Sequence, residues 1–343
     1  MVSDRIPQSP PIIKPIADEA GRPLWSVMIP TYNCSNYLKQ TLQSVLIQAR
    51  NPEEMQIVVV DDCSTDDDVE AIVDDIGNGR IGFFRQTQNV GSLRNFETCI
   101  NMATGKLIHI LHGDDVIKPG FYSEVEDLFI KFPSVGAAFT SLSIIDERGD
   151  LISDFRQVQN YTGIVDNWLL KIASKQFAQV CAVVVKRAVY EELGSFYAVH
   201  YGEDWEMWAR IASKYPVAFS IKNLALYREH NDNISARSLS TNQNIKDLKK
   251  VFKIIENYVP QNKRKEIKKI ASHNSANYFA QNAFKIYSVY GNKSIALKQA
   301  RGALLLHFNK CTLKTLLMIY VMIFKNYFKR LTDFRFYLKQ GQS

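Results

Sequence analysis

The chain has 343 residues, enough for two compact domains or for one large domain with an extension. Hydrophobic residues make up 46% and charged residues 22%, which excludes a collagen-like, coiled-coil or wholly disordered chain. The net charge of +7 is unevenly divided: residues 241–343 carry 20 Lys+Arg against 4 Asp+Glu, and residues 1–240 carry 22 against 31. A basic extension on a mildly acidic body indicates an anionic partner, such as acidic lipid, nucleic acid or an acidic protein surface.

The first 23 residues hold five of the eleven prolines, so we expect a flexible segment over residues 1–23 that trails from the surface or wraps around it. This segment lacks the pattern of a signal peptide, and no apolar run reaches the roughly 18 residues that span a bilayer. The five cysteines lie far apart with no CxxC pair, which argues against a zinc ribbon and a disulfide framework. We therefore expect a cytoplasmic protein.

From Trp25 onward, short apolar runs alternate with segments of helical period. Strands and helices are expected in turn over residues 25–29, 37–48, 55–60, 69–76, 81–84, 93–102 and 107–111. A helix ending at Lys131, strands over 135–145 and 179–185, and helices over 189–193 and 205–215 complete this part. The alternation predicts an α/β domain over residues 24–240, with a mostly parallel sheet flanked by helices.

After about Ser240 the strand signals vanish, and a basic α-helical region over residues 241–343 is expected. Its helices are predicted over residues 245–258, 263–287, 294–306 and 313–338. Residues 313–324 are nearly all apolar and cations follow them, which is typical of a helix in the interface of an anionic membrane. The alternative is a helix packed on the body or on a second subunit of a homo-oligomer. Because no nucleic-acid motif accompanies the lysines, no nucleic-acid partner is expected.

Two acidic pairs terminate apolar runs: Asp61-Asp62 and, directly after Gly113, Asp114-Asp115. Ligands of open parallel sheets bind beyond the carboxyl ends of the strands, so both pairs should meet at one edge. Carboxylates beside a glycine suit Mg²⁺ or Mn²⁺ bound together with the phosphates of a nucleotide. The alternative for either pair alone is capping of helices and turns.

No GxxxxGK[ST] or GxGxxG segment follows these strands, so a P-loop kinase and an ordinary dinucleotide-dependent oxidoreductase lose support. A nucleotide site here needs other cations, which a metal ion and Arg94 would supply. His109 and His112 are three residues apart on a predicted strand, point to opposite faces and make a poor metal pair.

Five segments, taken together and in this order, resemble the family 2 glycosyltransferases of the GT-A fold over about residues 25–233. They are Pro30-Thr31-Tyr32-Asn33, Val60-Asp61-Asp62-Cys63-Ser64-Thr65-Asp66, Asn89-Val90-Gly91 with Arg94-Asn95, Gly113-Asp114-Asp115 with Pro119, and Gly202-Glu203-Asp204-Trp205-Glu206-Met207-Trp208. The resemblance implies a Rossmann-like GT-A domain. It also implies an inverting, metal-dependent enzyme that moves a sugar from a nucleotide-diphosphate donor to a hydroxyl of a glycan or lipid-linked acceptor.

The resemblance further implies which residues bind the nucleotide-sugar. The nucleotide would lie along the residues that follow the first strand, which are Pro30, Thr31, Tyr32 and Asn33. Asp61 would meet the base, with Asp62 less directly involved, and Arg94 would approach the base or the phosphates.

Asp114 and Asp115 correspond to the family's DXD-type element, which binds the ribose and a Mn²⁺ or Mg²⁺ ion. Many relatives have an aspartate where this chain has His112, so the choice of metal ligand between Asp114 and Asp115 stays open. The segment Tyr227-Arg228-Glu229-His230 resembles one that faces the diphosphate in relatives. Arg228 and His230 are therefore candidate contacts, with a surface-loop role as the alternative.

Glu203-Asp204 resembles the family's ED motif, in which the aspartate is the general base. A sugar hydroxyl is a poor nucleophile, so a carboxylate must take its proton while the diphosphate leaves with its charge neutralised. One base and a direct displacement predict inversion at the anomeric carbon. The alternative is an N-cap role for Asp204 ahead of an apolar helix face, and both could hold at once.

Two other functions stay open from the sequence. A nucleotidyltransferase acting on sugar phosphates also surrounds a metal and a nucleotide with carboxylates, and a non-catalytic sugar-nucleotide-binding protein would keep the fold without turnover. For the favoured function, the basic region suggests cell-surface polysaccharide synthesis, with the protein peripheral on the inner face of the cell membrane.

Overall fold

The computed structural model of the chain describes residues 5–16, 21–155, 157–230 and 233–340, with side chains as far as residue 328. Over these residues it is an α/β protein with a 10-stranded sheet. The expected α/β class is therefore confirmed, and so is the helical character of the C-terminal region.

The first half of the sheet is parallel. Its elements are β1 (Trp25–Thr31), α1 (Ser35–Leu46), β2 (Met55–Asp61), α2 (Val69–Gly77), β3 (Gly82–Arg85), α3 (Ser92–Met102) and β4 (Leu107–Ile110). β1 pairs in parallel with both β2 and β4, and β2 pairs in parallel with β3. All seven residues of β1 are buried, as expected for a central parallel strand covered on both faces.

The second half of the sheet is mixed. Its elements are β5 (Val116–Ile117), α4 (Phe121–Lys131), β6 (Ala137–Ile145), β7 (Leu151–Asp154), β8 (Gly163–Ile164), α5 (Trp168–Ser174), β9 (Val183–Lys186), α6 (Arg187–Leu193), α7 (Glu203–Ala212) and β10 (Val217–Arg228). The main strand order is β3-β2-β1-β4-β9-β6-β10-β5, with β9 antiparallel to both of its neighbours. The strand expected over residues 179–185 starts only at β9, because Val180–Ala182 form a 3₁₀ helix.

The core lies in two layers, one on each face of the sheet. Val27 and Ile29 of β1 face α1, α2 and α4, whereas Met28 faces the opposite layer, which contains α3 and α7. This alternation is the two-residue period of a strand buried on both sides. The layer around Met28 extends into the C-terminal helices through residues such as Phe252 and Phe279.

Five helices follow the sheet: α8 (Ile234–Thr241), α9 (Gln243–Ile255), α10 (Arg264–Ser288), α11 (Lys293–Leu306) and α12 (Lys310–Gln340). α9 packs on α7, where the ring centroids of Phe252 and Trp205 lie 5.4 Å apart. α12 packs on α10 and α11 through the fully buried Ile319. Among the residues described, no helix combines the length and the hydropathy that crossing a bilayer requires.

The N-terminal segment forms no helix or strand where the structure describes it, at residues 5–16. In place of a flexible tail, these residues lie along the body, and Ile13 is completely buried in the layer around Met28. We call residues 5–16 the N-terminal strap.

Candidate active site

The segments that follow β1, β2 and β4 are joined at one edge of the sheet by main-chain hydrogen bonds. The Asp62 N–H donates to the Thr31 carbonyl (2.8 Å), and the Gly113 N–H donates to the Pro30 carbonyl (3.1 Å). A Cβ at Gly113 would lie 2.9 Å from both Cys34 Sγ and Thr31 Oγ1, so this approach requires glycine. The two acidic pairs therefore reach the same edge as Pro30 and Thr31, as the topology predicts.

The turn after β1 is fixed to the turn after β2. Asn33 has a left-handed φ of 49°, its N–H donates to Ser64 Oγ (3.0 Å), and its Oδ1 accepts from the Thr65 N–H (2.8 Å). Asp61 is fully buried, accepts from the Ser64 N–H (3.2 Å), and lies 3.4 Å from Arg85 Nε. Tyr32, by contrast, is 42% exposed at this edge. Of these residues, Tyr32 is the one available to a ligand without rearrangement.

Asp62 holds the turn that precedes α3. Its carboxylate accepts from the N–H groups of Val90 (2.7 Å) and Gly91 (2.9 Å) and from Asn89 Nδ2 (3.0 Å). Burial raises the pKa of Asp62, although these N–H groups oppose the shift. Arg94, in the first turn of α3, is half-buried and pairs with Glu97 at 2.7 Å. The Asp62 carboxylate is thus engaged in hydrogen bonds within the protein.

His112, Asp114 and Asp115 form a cluster whose possible ligand atoms all lie within 4.8 Å of one another. Asp115 is fully buried, and its Oδ1 accepts from the Arg228 N–H (2.9 Å). Its Oδ2 is buried without a hydrogen bond, 3.5 Å from His112 Nδ1, and His112 Nε2 is also buried without one. Unsatisfied buried oxygen and nitrogen atoms are costly unless something binds them, so this donor set fits a divalent cation.

The three side chains of this cluster shift one another's pKa values. Burial raises the pKa of Asp115. Burial also opposes ionisation of Asp114, but the contact with His230 and the charge of His112 outweigh it and lower the pKa of Asp114. Burial alone would lower the pKa of His112, but the adjacent Asp115 carboxylate raises it. The Asp114 charge therefore opposes ionisation of Asp115, whereas the imidazoles of His112 and His230 favour the ionised carboxylates.

His112 is the residue of this cluster that motif reasoning missed as a possible ligand. The expectation that His109 and His112 point apart is correct, because His109 contacts Tyr122 and the Cys181 carbonyl (2.9 Å) on the other side. His112 instead stacks on Phe96, with ring centroids 5.4 Å apart. The signal that could have found it is its position two residues before the acidic pair Asp114-Asp115.

Arg228 ends β10 and His230 lies two residues after it, and both contact the cluster. Arg228 is 1% exposed, and its guanidinium donates to the carbonyls of Asp114 (2.7 Å) and Asp146 (3.0 Å) and to Gln40 Oε1. This placement differs from the expected diphosphate contact, because the guanidinium already donates its hydrogen bonds to groups within the protein. His230 Nε2 lies 3.0 Å from Asp114 Oδ2.

Glu203 and Asp204 begin α7 and lie half-buried near the acidic cluster. The N-cap of α7 is Gly202, with φ +88° and no side-chain cap, so the alternative N-cap role for Asp204 is wrong. Asp204 Oδ2 accepts from Gln176 Nε2 (2.7 Å), a contact that no motif indicated. Burial raises the pKa of Asp204 to about 6, and burial together with the Asp204 charge raises that of Glu203 well above its ordinary value.

The base candidate and the metal cluster belong to one site. The charges of Asp204 and His112 each stabilise the other's ionised form, which requires the two side chains to be close. Two adjacent carboxyls with pKa values pushed apart are typical of an acid–base pair in which one is neutral and the other ionised. The arrangement can bind a cation beside a carboxylate that accepts a proton near neutral pH.

An α/β sheet with an acidic cluster that could hold a cation, and with a carboxylate of raised pKa at the same edge, is typical of nucleotide-dependent group-transfer enzymes. The family model described as glycosyl transferase family 2 matches residues 26–194. An uncharacterized glycosyltransferase of Nostoc sp. is 30% identical over 234 residues, which are 64% of this chain and 70% of that protein. The chain therefore belongs to family 2 of the glycosyltransferases, and it is an enzyme of this class.

Two solved structures have the same fold as this chain. Residues 1–349 of S. aureus TarS, in complex with UDP-GlcNAc, align with a TM-score of 0.60 at 16% identity, covering 89% of this chain and 91% of that one. The mannosyltransferase PcManGT of Pyrobaculum calidifontis, in complex with GDP-Man and Mn²⁺, aligns with a TM-score of 0.55 at 17% identity, covering 95% and 87%. The expected GT-A architecture is thereby confirmed.

Proposed function

We propose that the chain transfers a sugar, with inversion and with the help of a divalent cation, from a nucleotide-diphosphate donor to a hydroxyl group of a glycan or lipid-linked acceptor. The observation that carries the proposal is the half-buried Asp204 carboxylate, which has a raised pKa and lies beside the His112–Asp115 cluster. A donor site and a base at one edge of the sheet are what a single direct displacement requires.

On the donor side, the base of the nucleotide lies against Tyr32 and the turns that carry Asp61 and Asp62. His112, Asp114 and Asp115 would hold Mn²⁺ or Mg²⁺, which neutralises the charge of the departing diphosphate when bound. Asp115 is the principal ligand because its Oδ2 has no hydrogen bond within the protein. Arg228 acts as a positioning residue, since it fixes the main chain at Asp114 and Asp115.

On the acceptor side, Asp204 removes the proton of the attacking hydroxyl. The acceptor oxygen then forms its bond to the anomeric carbon while the bond from that carbon to the diphosphate oxygen breaks. Gln176 orients Asp204 through the hydrogen bond of 2.7 Å. Burial and the Asp204 charge both oppose ionisation of Glu203 and raise its pKa well above the ordinary value.

Three tyrosines suit a sugar acceptor, one on the loop before α7, one on β10 and one on α10. Tyr278 of α10 is 48% exposed, and Tyr201 and Tyr227 are half-buried. Burial raises the pKa of Tyr201, and the rings of Tyr201 and Tyr278 both lie against the Phe279 ring, with centroids 6.3 and 5.5 Å from it. An aromatic ring offers a sugar an apolar face and a hydroxyl that forms hydrogen bonds.

The outward face of α12 supports peripheral contact with an anionic membrane. Phe324 is 64% exposed, and Leu317, Val321 and Phe328 are exposed on the same side, opposite the buried Ile319. Residues 310–328 contain three lysines and no Asp or Glu. A second copy packed on this face would bring lysines together without acidic partners, whereas anionic headgroups would balance them. This contact would bring a lipid-linked acceptor of cell-surface polysaccharide synthesis to the enzyme.

The test of the proposed reaction follows the products. The purified chain is incubated with uridine, guanosine, thymidine and cytidine diphosphate sugars and with simple glycoside acceptors, with and without Mn²⁺. We expect metal-dependent release of a nucleoside diphosphate with one donor series. In a parallel reaction with nucleoside triphosphates and sugar 1-phosphates, release of pyrophosphate would indicate a nucleotidyltransferase, and binding without turnover in either reaction would indicate a non-catalytic protein.

A substitution of Asp204 tests its assignment as the general base. Asp204→Asn should lower turnover at saturating donor by about 10³-fold, within the range that general-base catalysis contributes. Asp75→Asn is the matched control, because Asp75 is an exposed carboxylate on α2. Wild-type turnover by Asp204→Asn would contradict the assignment.

A further inference from the structure

The N-terminal strap is fixed to the body at closely spaced points. The Pro11 carbonyl accepts from the Ser195 N–H and the Pro7 carbonyl accepts from the Ala198 N–H, both at 2.9 Å. The Lys14 carbonyl accepts from Arg187 Nη2 (3.0 Å), and Ile13 is completely buried between these points. The strap therefore follows the loop of residues 194–202, which leads directly to Glu203 and Asp204.

This loop has a conformation that depends on the strap. Ala198 has φ +78°, a left-handed conformation that a residue with a Cβ adopts rarely. Its N–H donates to the Pro7 carbonyl, and its own carbonyl accepts from Lys250 Nζ of α9 (2.9 Å). Gly194 also has φ +78°, and a Cβ there would lie 2.7 Å from the Pro11 carbonyl oxygen. The strap thus determines the path of the loop at both positions.

The first described residue of the strap reaches the donor side. Arg5 donates from Nη2 to Asn89 Oδ1, and its Nε lies 3.0 Å from the place that a Cβ of Gly91 would take. Asn89 and Gly91 belong to the turn that Asp62 holds. The positive charge of Arg5 also favours the ionised Asp62, against the effect of burial. Arg5 therefore stabilises the turn that lies beside the base-binding segments.

We infer that the N-terminal strap is a positioning element of the active site, in which Arg5 holds the turn of residues 89–91 in the shape that binds the nucleoside diphosphate of the donor. The inference rests on the proposed function and adds a residue that lies outside the region matched by the family model. Without Arg5, the Asp62 carboxylate loses a neutralising charge, and the turn loses its tie to Asn89. Donor affinity should then fall while the fold persists, because the strap keeps Ile13 and its main-chain hydrogen bonds.

The test compares Arg5→Gln with Arg5→Lys and with Lys14→Gln in the full chain. Lys14 is the control, because its side chain is exposed on the same strap and the strap is held there through its carbonyl. The probes are UDP and GDP with Mn²⁺, read by titration, together with the donor KM, kcat and the melting temperature. For Arg5→Gln we expect about a tenfold weaker Kd and higher donor KM, with kcat and the melting temperature unchanged, a size typical of one charge-assisted contact. Arg5→Lys should recover part of the loss, and Lys14→Gln should match the wild type.

Hydrogen exchange separates this inference from the proposed function. The N–H groups of Val90 and Gly91 donate to Asp62, so their exchange should be faster in Arg5→Gln than in Lys14→Gln and the wild type. Unchanged exchange, or faster exchange with unchanged nucleotide affinity, would overturn the inference. A wild-type chain that binds no nucleotide would contradict the proposed function, while the exchange rates would still decide whether Arg5 holds the turn.

Discussion

The donor side and the base side of the active site are built in different ways. On the donor side, consecutive strands of a parallel sheet present their ends together, and main-chain bonds such as that from Asp62 to Thr31 join them directly. On the base side, the loop before Asp204 is held by the N-terminal strap and by α9, through Pro7 and Lys250. The carboxyl edge of the sheet thus supplies the donor half of the site by itself. The base half depends on the strap and on α9, which lie outside the sheet.

The largest effect expected on the donor side comes from Asp115. Asp115→Asn removes the charge of the carboxylate whose Oδ2 has no partner, so it should abolish the Mn²⁺-dependent rise in melting temperature with nucleoside diphosphate. Turnover should fall by at least about 100-fold, as when an electrostatic contact to a leaving group is lost. The thermal shift and the initial rate measure these outcomes. A full metal-dependent shift in the variant would exclude Asp115 as the ligand.

The next prediction concerns the base side of the site, where Gly194 contacts the strap. Gly194→Ala places a Cβ 2.7 Å from the Pro11 carbonyl oxygen, whereas Gly79→Ala has the same φ of +78° with no atom within 4 Å. Gly194 also has ψ 179°, a backbone region that residues with a Cβ rarely adopt, so Gly194→Ala combines backbone strain of about 1–3 kcal/mol with displacement of the strap, whereas the new Cβ of Gly79→Ala meets no atom. We expect Gly194→Ala to lose roughly 2 kcal/mol more in the free energy of unfolding. Equal denaturation midpoints for the two variants would show that displacing the strap costs little free energy.

A pH profile sharpens the role of Asp204. Its pKa in the folded chain is about 6, above the ordinary value for aspartate, so the base becomes protonated as the pH falls through 6. kcat should then drop by about tenfold per pH unit below that point. The same shift makes the folded state bind the proton more tightly, so this group favours folding at low pH and that contribution is lost as the pH rises through 6. Activity and the Asp204 contribution to stability should therefore move in opposite directions, and a flat kcat profile between pH 5 and 7 would oppose this assignment.

The smallest effect lies outside the active site. Phe324→Ser on α12 should weaken binding to vesicles that contain anionic lipid by several-fold, because one exposed aromatic side chain no longer enters the interface. Ile130→Ser is the matched control, since Ile130 is equally exposed on α4. Co-sedimentation measures the binding, and turnover on a soluble acceptor should stay unchanged in both variants. Equal loss in both would argue against a specific face on α12.

The sequence was most informative where structure is local. Apolar runs followed by Asp61 and by Asp114 identified the strand ends, because a parallel sheet converts that order directly into a shared edge. The role of Arg228 was not predictable, because its partners Gln40 and Asp146 are far away in the chain and only the folded structure shows that its donors are already used. Arg5 was missed for the same reason, since 84 residues separate it from Asn89.

The hydrogen bond from the Arg228 N–H to Asp115 also sets an order of events during biosynthesis. It spans 113 residues, so the loop that would bind the cation is completed only after β10 has been translated and has joined the sheet. A nascent chain that ends before residue 228 would contain both acidic pairs and Asp204 and still have no finished site. Nucleotide binding could therefore report, on a ribosome-bound chain, the moment at which the last strand enters the sheet.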